Sequence, residues 1–272
     1  MGIKMISVWG SPGAGTTLLT IKLAKRLSEC KKNVIIVGCD DHTPLIPLLL
    51  PMEVNLPSIG HLLSLEKISQ IDLMEHLVPY GKNHYISLLA YGRGENVMSY
   101  PDYIYKQADE LFTRLECFST VSSLVVLADC TSNLDNYLTA AALKHADVTL
   151  RIVNADPKSE VYFQSAAPLL ERDAGYRYDD QINVLNNLLL SQDPGPAKEV
   201  VGDISYTLPH VAGLKEQYDA AQLLDSLPGR DARQYSMELE KLVKEVFTDE
   251  PEEHGIIRRR RNAAAGDVSG TA

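Results

Sequence analysis

The segment that decides the fold spans residues 5–24, MISVWGSPGAGTTLLTIKLA. The apolar run Lys4–Trp9 predicts a strand, and the apolar spacing that continues to about Cys30 predicts a helix. Between them lies the loop Gly10-Ser11-Pro12-Gly13-Ala14-Gly15-Thr16-Thr17, which leads into Leu18. Its three glycines let the backbone turn tightly and point successive N–H groups inward, and the helix adds its positive N-terminus. This strand–loop–helix predicts a nest for an anion such as a phosphate chain, formed by residues 10–18.

The loop follows the phosphate-binding pattern G-x-x-x-x-G-K-[ST] at Gly10, Gly15 and Thr17. Thr17 stands where the pattern's Ser or Thr binds Mg²⁺. Thr16 stands where a lysine normally reaches the β- and γ-phosphates. Such a contact is worth on the order of several kcal/mol in phosphoryl transfer, so we expect weak ATP hydrolysis or none. Taken alone, the loop is also compatible with a glycine-rich turn that binds nothing.

The rest of the chain alternates short apolar runs with stretches of helical apolar spacing. Strands that are apolar on both faces and separated by helices indicate a mostly parallel sheet that is covered on both sides. We therefore predict an α/β fold with a twisted sheet of about seven strands and helices on both faces. The predicted strands are Lys4–Trp9, Asn33–Gly38, Tyr85–Tyr91, Leu124–Asp129, Val148–Val153, Gln181–Leu185 and Asp203–Thr207. The predicted helices after the first are Ser58–Leu65, Ile71–Val78, Pro101–Cys117, Asn133–His145, Ser159–Arg172, Ala212–Leu224 and Arg233–Phe247.

Length and composition fit one large domain with a sizeable core, because 45% of the 272 residues are hydrophobic. We predict a nucleotide-binding domain over residues 1–247 and a disordered tail over residues 248–272, which has almost nothing to bury. The net charge of −10 argues against a protein that coats nucleic acid through its overall field. The basic cluster Arg258, Arg259, Arg260 and Arg261 is the exception, and we interpret it as part of a solvated tail.

The four cysteines, Cys30, Cys39, Cys117 and Cys130, form no C-x-x-C pair and have no zinc-like spacing. They predict buried or incidental thiols in a reducing compartment. We find neither a signal peptide nor a run of about 20 apolar residues, and so we expect a cytoplasmic protein.

Acidic and amide side chains follow three of the predicted strands. Asp40 and Asp41 follow the second strand, and Asp129 ends the fourth. Asn186 and Asn187 follow the sixth. Carboxyl ends of parallel strands share one edge of the sheet, where ligands of open α/β folds bind. At that edge a carboxylate can hold Mg²⁺ and an amide can pair with a base. The plainer alternatives are that the aspartates solvate a loop or cap a helix, and that the asparagines cap a turn.

Over about residues 3–247, the order of these segments resembles the MinD/ParA family of P-loop ATPases. In that family the loop has the form K-G-G-x-G-K-[TS], the second strand ends near D-x-D, and a later apolar strand, the Walker B strand, ends in D-x-P-P. Three further stretches are similar to family segments: Leu138–Asp147 after the Walker B strand, Asn55–Leu63 after the first switch, and Leu208–His210 beside the adenine.

The resemblance implies ATP and Mg²⁺ as cofactors and gives roles to individual residues. It makes Asp40 the catalytic aspartate that positions the attacking water. It places Thr17, Asp40 and Asp129 around the metal. The residues that it places beside the base are Asn186, or its neighbour Asn187, and Pro209.

The chain departs from the family pattern at the two loop lysines. Ser11 stands at the lysine that reaches across the family's dimer, and Thr16 stands at the Walker lysine. In addition, Gly38 replaces the first acid of D-x-D, and Thr131 and Ser132 replace the proline pair. Atypical loops of this sort occur in TadZ/CpaE-like pilus-assembly proteins and in ParA-like proteins of bacterial mobile elements, and our interpretation places the chain among them.

The favoured hypothesis is thus a MinD/ParA-like nucleotide-binding protein with weak or absent hydrolysis. It would act in localisation, partition, or the assembly of a secretion or conjugation machinery. Its nucleotide state would control association with a second copy or with a protein partner. Three alternatives stay open: an active ATPase that uses Lys22 or Lys158 as its cation, a metabolic P-loop enzyme, and an interaction scaffold that needs no nucleotide.

Overall fold

The computed structural model describes residues 5–51, 56–122, 124–171 and 181–247. Lys4, Asn55 and the predicted tail from Thr248 to Ala272, with its arginine cluster, lie outside the described residues.

Eight strands form one sheet in the order β3-β4-β2-β5-β1-β6-β7-β8. All neighbouring pairs are parallel except β3 and β4, which are antiparallel. The strands are β1 Met5–Gly10, β2 Val34–Gly38, β3 Val78–Pro79, β4 Ile86–Leu89, β5 Val125–Asp129, β6 Val148–Val153, β7 Gln181–Leu188 and β8 Tyr206–Pro209. After β5 the chain crosses to the other side of β1, so β1 lies at the switch point where open α/β sheets bind their ligands.

Helices cover both faces of the sheet. They are α1 Thr16–Glu29, α2 Ile46–Leu49, α3 Ile59–Leu63, α4 Gln70–His76, α5 Tyr105–Ser122, α6 Tyr137–His145, α7 Pro157–Glu171, α8 Gly195–Val201, α9 Ala212–Asp219 and α10 Arg230–Phe247. Alternate residues of one strand point to opposite faces, so Ile6 and Val8 join a core with α1, α2, α9 and α10. Met5 and Trp9 join a second core with α3 and α5–α8. None of the helices in the described ranges is both long and apolar enough to cross a membrane.

The predicted α/β fold is confirmed, with local differences in its elements. Three elements were not predicted: the short helix α2, the helix α8, and the two-residue edge strand β3, where the sequence suggested the end of a helix. The last strand runs over Tyr206–Pro209 rather than Asp203–Thr207. The position of this strand is set by its pairing with β7, which has an irregularity between Leu185 and Leu188. Because this pairing involves a different segment of the chain, the local sequence gives no signal for it.

Gly10 gives a test of how tightly β1 packs at this switch point. A Cβ atom at Gly10 would lie 2.4 Å from the carbonyl oxygen of Ile152 on β6, and backbone cannot move aside cheaply. We expect Gly10→Ala to lower the free energy of unfolding by about 3 kcal/mol. Gly13→Ala is the matched control, because Gly13 has a φ of 81° and open space around it, so that only the backbone penalty of about 1 kcal/mol applies. Equal losses in urea unfolding of the two variants would contradict this packing argument.

Candidate nucleotide-binding site

The glycine-rich loop turns at the carboxyl end of β1 and leads directly into α1. The backbone N–H of Ala14 donates to the carbonyl of Ser11 over 3.0 Å, which closes the turn. Gly15 is the N-cap of α1 and has a φ of 87°, while Pro12 and Gly13 form the exposed tip. The first N–H groups of a helix have no partners within it, so this turn and the start of α1 provide the backbone donors of an anion site.

Ser11, the first residue of the glycine-rich loop after Gly10, is hydrogen-bonded within its own chain. The side chain is buried, and its hydroxyl donates to Oγ of Ser159 over 2.9 Å. Ser159 lies in the first turn of α7, and its Oγ also accepts from the backbone N–H of Asn154 over 3.1 Å. The two hydroxyls therefore connect the phosphate loop to the loop that follows β6.

Asp129 lies beside the phosphate loop at the end of β5 and is only 5% exposed. Burial raises the pKa of its carboxyl group to about 7, and the charge of Asp40 contributes to the rise, whereas hydrogen bonds from Thr17 and Thr20 oppose it. The Thr20 hydroxyl is 3.5 Å from Oδ1 of Asp129. At neutral pH this carboxyl group is therefore partly protonated, and a bound cation would displace the proton.

Thr17 and Asp129 supply oxygen ligands of the kind that Mg²⁺ prefers. Among the described residues, no group of three or more His, Cys, Asp or Glu side chains is placed to hold a metal by itself. This fits a magnesium ion that keeps several waters and takes other ligands from phosphate oxygens, as is usual for Mg²⁺ at nucleotide sites. The residues present therefore fit Mg²⁺ carried in with a nucleotide.

The Asp40 carboxylate follows β2 at the same edge of the sheet and is engaged by its own loop. It accepts hydrogen bonds from the backbone N–H groups of His42 and Thr43, over 3.1 and 2.9 Å, and from the Thr43 hydroxyl over 2.9 Å. In this arrangement the Asp40 carboxylate accepts hydrogen bonds from the loop after β2. This agrees with the alternative in which the aspartate has a structural role in its own loop. Its charge still acts on Asp129. A role in positioning the attacking water stays a prediction.

Asp41 is the buried member of the acidic pair, at 6% exposure. The Tyr103 hydroxyl donates to its Oδ2 over 2.8 Å, and Nδ1 of His42 lies 2.7 Å from its Oδ1. The backbone N–H of Val97 donates to the carbonyl of Asp41 over 2.7 Å. Burial and then the charge of Asp41 raise the pKa of Tyr103 well above its usual range. Asp41 thus connects the loop after β2 to the segment 97–103 through hydrogen bonds.

Removing the Tyr103 hydroxyl should weaken the connection between the loop after β2 and the segment 97–103. We expect Tyr103→Phe to lower the free energy of unfolding by about 2 kcal/mol, because the buried Asp41 carboxylate loses a charged hydrogen bond. Tyr105→Phe is the control, since its hydroxyl makes a longer bond of 3.3 Å to Asp109 in a partly exposed setting, and its loss should cost below about 1 kcal/mol. The measurement is chemical denaturation near neutral pH, and a smaller effect for Tyr103→Phe than for the control would refute the assignment.

The two lysines considered as replacements for the missing cation lie in different surroundings. Lys22 is 4% exposed, and its ammonium group donates to Oε1 of Gln217 and, over 3.4 Å, to the carbonyl of Asp225. Burial lowers the pKa of Lys22 to about 8. The ammonium group of Lys22 is thus hydrogen-bonded to α9 and to the loop after it, and not to the loop before α1. Lys158 is exposed in the first turn of α7, next to the serine that contacts Ser11.

The ends of β7 and β8 lie on the side of β1 opposite to β5 and β2. Asn186 is buried and donates from Nδ2 to the carbonyl of Ala14 over 2.8 Å, so it contacts the loop itself. Pro209 pairs with Leu188 across the two strands. The structure brings these predicted base-side residues to the same edge as Thr17 and Asp129. Whether they contact a base stays a prediction.

Solved structures of MinD, ParA and McdA proteins match this chain along most of its length. A variant of McdA from Cyanothece, in complex with ATP, has a TM-score of 0.70 at 18% identity, over 93% of this chain and 100% of its own. MinD from Pyrococcus horikoshii OT3, complexed with Mg-ADP, has a TM-score of 0.67 at 17% identity, over 89% and 96%. A ParA family ATPase from Chlorobium tepidum TLS has a TM-score of 0.69 at 13% identity, over 88% and 97%.

This chain has the MinD/ParA fold. The sequence matches no protein-family model and no curated protein. The likeness to the MinD/ParA proteins is therefore one of structure.

Within this MinD/ParA fold, several site residues escaped the sequence analysis. Thr20 follows Thr17 by three positions on α1, and that spacing could have identified it as a second hydroxyl on the same helix face. Three contacts gave no local signal because the partners are 62, 148 and 23 residues apart. They are Asp41 with Tyr103, Ser11 with Ser159, and Asn187 with His210.

Proposed function

We propose that this chain binds ATP with Mg²⁺ and acts as a positioning or assembly factor that hydrolyses ATP weakly or not at all. One observation carries the proposal: a glycine-rich turn leads into the N-terminus of α1 with Asp129 beside Thr17, and the segment of that turn, residues 5–21, contains no lysine or arginine. Backbone donors and a helix N-terminus bind phosphate without a side-chain cation. They do not replace the lysine charge that stabilises the transition state.

The hydrogen bond of Ser11 within its own chain bears on how the protein would associate with a partner. Serine carries no charge, and the hydroxyl of Ser11 is bonded to Ser159 of the same chain, so Ser11 would not replace a lysine that reaches the nucleotide of a second copy. We propose that the nucleotide controls association through the shape of the loops around the site. The partner would be a second copy or a protein of a localisation, partition or secretion machinery in the cytoplasm of a bacterial cell. The domain over residues 1–247 would carry this function, in the manner of the TadZ/CpaE-like proteins or of the ParA-like proteins of mobile elements.

Calorimetric titration with ATP, ADP and GTP, each with Mg²⁺, tests the binding, and phosphate release under the same conditions tests hydrolysis. We expect ATP to bind and phosphate release to stay near the background of the buffer. Turnover at several per minute would refute weak hydrolysis. No heat and no thermal stabilisation with any of the nucleotides would refute the binding proposal and favour the scaffold alternative.

A second candidate, an active ATPase with Lys158 as its cation, is favoured by one contact. The bond between Ser159 and Ser11 places the residue after Lys158 directly on the phosphate loop. If Lys158 supplies the missing charge, Lys158→Ala should abolish turnover. Lys82→Ala is the matched control, because Lys82 is an exposed lysine just before β4, at the amino edge of the sheet. Equal turnover in both variants would exclude Lys158 as the cation.

A further inference from the structure

An open groove lies along the first half of α10, away from the phosphate loop. It has a volume of about 330 Å³. The residues that line it are Leu227, Ala232, Arg233, Ser236, Met237 and Glu240. Met237 is 70% exposed, so the described residues leave most of this large apolar side chain uncovered. The groove is therefore a place where another apolar side chain can be buried.

Cationic side chains flank the groove along the same face of α10. Positions 233, 237, 241 and 244 are three or four residues apart, so their side chains share one face of the helix. Arg233, Lys241 and Lys244 are exposed on either side of Met237. An acid beside this face, Glu240, is paired with Lys244 over 3.0 Å. The surface around the groove therefore carries a net positive charge.

The sequence that follows α10 has the complementary composition. Directly after the helix, the five residues Asp249–Glu253 contain four acids. Ile256 and Ile257 come next, and they are the only adjacent pair of large apolar residues within 248–272. An acidic run followed by two isoleucines thus matches a cationic helix face that leads to an apolar groove.

This part of the chain is also long enough to reach the groove. Met237 precedes Phe247 by ten residues, which corresponds to about 15 Å along an α-helix. Nine residues lead from Phe247 to Ile256, and an extended chain of that length spans up to about 30 Å. A segment that turns back along α10 therefore brings its acids past Lys244 before its isoleucines arrive at Met237.

We propose that residues 249–257 dock on the same chain by folding back along α10. Their acids lie beside Lys241 and Lys244, and their two isoleucines enter the groove at Met237. The occupant of the groove is thus a segment of this chain, and another apolar partner gains access to the groove only when that segment is displaced. This inference is independent of the proposed nucleotide binding.

The charges of the next residues define where the docked segment ends. Arg258–Arg261 follow directly, and further docking in the same direction would bring them to Arg233. Repulsion between like charges then directs the arginines into solvent, and docking ends at Ile257. The expected disordered tail is thereby narrowed to residues 258–272.

Oxidation of single methionines by hydrogen peroxide in the native full-length chain, followed by mass spectrometry, tests the inference. Met98 is the internal reference, because it is 88% exposed and lies on the segment after β4. We expect Met237 to be oxidised at least about fivefold more slowly than Met98, since a docked segment excludes the oxidant from its sulfur. Addition of about 0.5 M NaCl should reduce this difference, because salt screens the attraction between the acids and the lysines.

The double variant Ile256→Ser and Ile257→Ser should bring the oxidation rate of Met237 to within about twofold of the rate of Met98. Val268→Ser is the matched control, since it removes an apolar side chain beyond the arginines and should leave Met237 protected. Equal oxidation of Met237 and Met98 in the wild type overturns the inference. Protection of Met237 that persists in the double variant also overturns it, and protection that then depends on protein concentration identifies a second copy as the occupant instead.

Discussion

A lysine introduced at Thr16 is expected to raise ATP turnover by about 10²–10³-fold over the wild type. Thr16 begins α1, directly after the N-cap Gly15, so a lysine there would extend its ammonium group toward phosphates held by the nest. A fixed positive charge at that place stabilises the charge that develops on the transferred phosphoryl group. Steady-state phosphate release with saturating Mg-ATP is the measurement.

Thr16→Met separates charge from length, since methionine adds an unbranched side chain of intermediate length without a charge. It should leave turnover at the wild-type rate. The backbone carbonyl of Thr16 accepts the Thr20 hydroxyl over 2.9 Å, and neither substitution removes that bond. Should Thr16→Lys bind Mg-ATP and still fail to increase phosphate release, the absent lysine would not be what limits hydrolysis.

Asp129→Asn is expected to make the protein more stable than the wild type at pH 8, by on the order of 4 kcal/mol. The folded protein raises the pKa of Asp129 from 3.8 to about 7, chiefly through burial, so folding favours the protonated form. The contribution of this group to stability is complete below pH 3.8 and is lost as the pH rises through about 7. Asparagine never ionises, and its oxygen can still accept from Thr17 and Thr20.

The measurement is the free energy of unfolding of both proteins from pH 5 to pH 8, without Mg²⁺ or nucleotide. The difference between them should widen with pH. Asp40→Asn gives an internal check, because the charge of Asp40 adds to the rise in the pKa of Asp129. Its removal should shift the transition to lower pH. A wild type that keeps the same stability relative to Asp129→Asn at every pH would show that Asp129 titrates normally.

Features that lie within a single segment could be predicted from the sequence. The loop from Gly10 to Thr17 turns as its glycines predict, and Asp129 ends a buried strand. The sequence did not distinguish the two neighbouring aspartates: Asp41, rather than Asp40, is buried and bonded to another element. Both residues end the same strand run, and which of two adjacent side chains is buried depends on Tyr103, 62 positions away.

By itself, the sequence determined that a glycine-rich turn would lie between a buried strand and a helix, and that this turn would contain no lysine or arginine. Those properties depend on glycine conformation, on helix termini and on which residue types are present, all of which are local. The tertiary structure decided which groups meet that turn. Ser11 is bonded to Ser159, Lys22 is turned to Gln217, and Asn186 contacts Ala14, because strands far apart in sequence end at one edge of the sheet. Such contacts depend on strand order and register, which no single segment encodes.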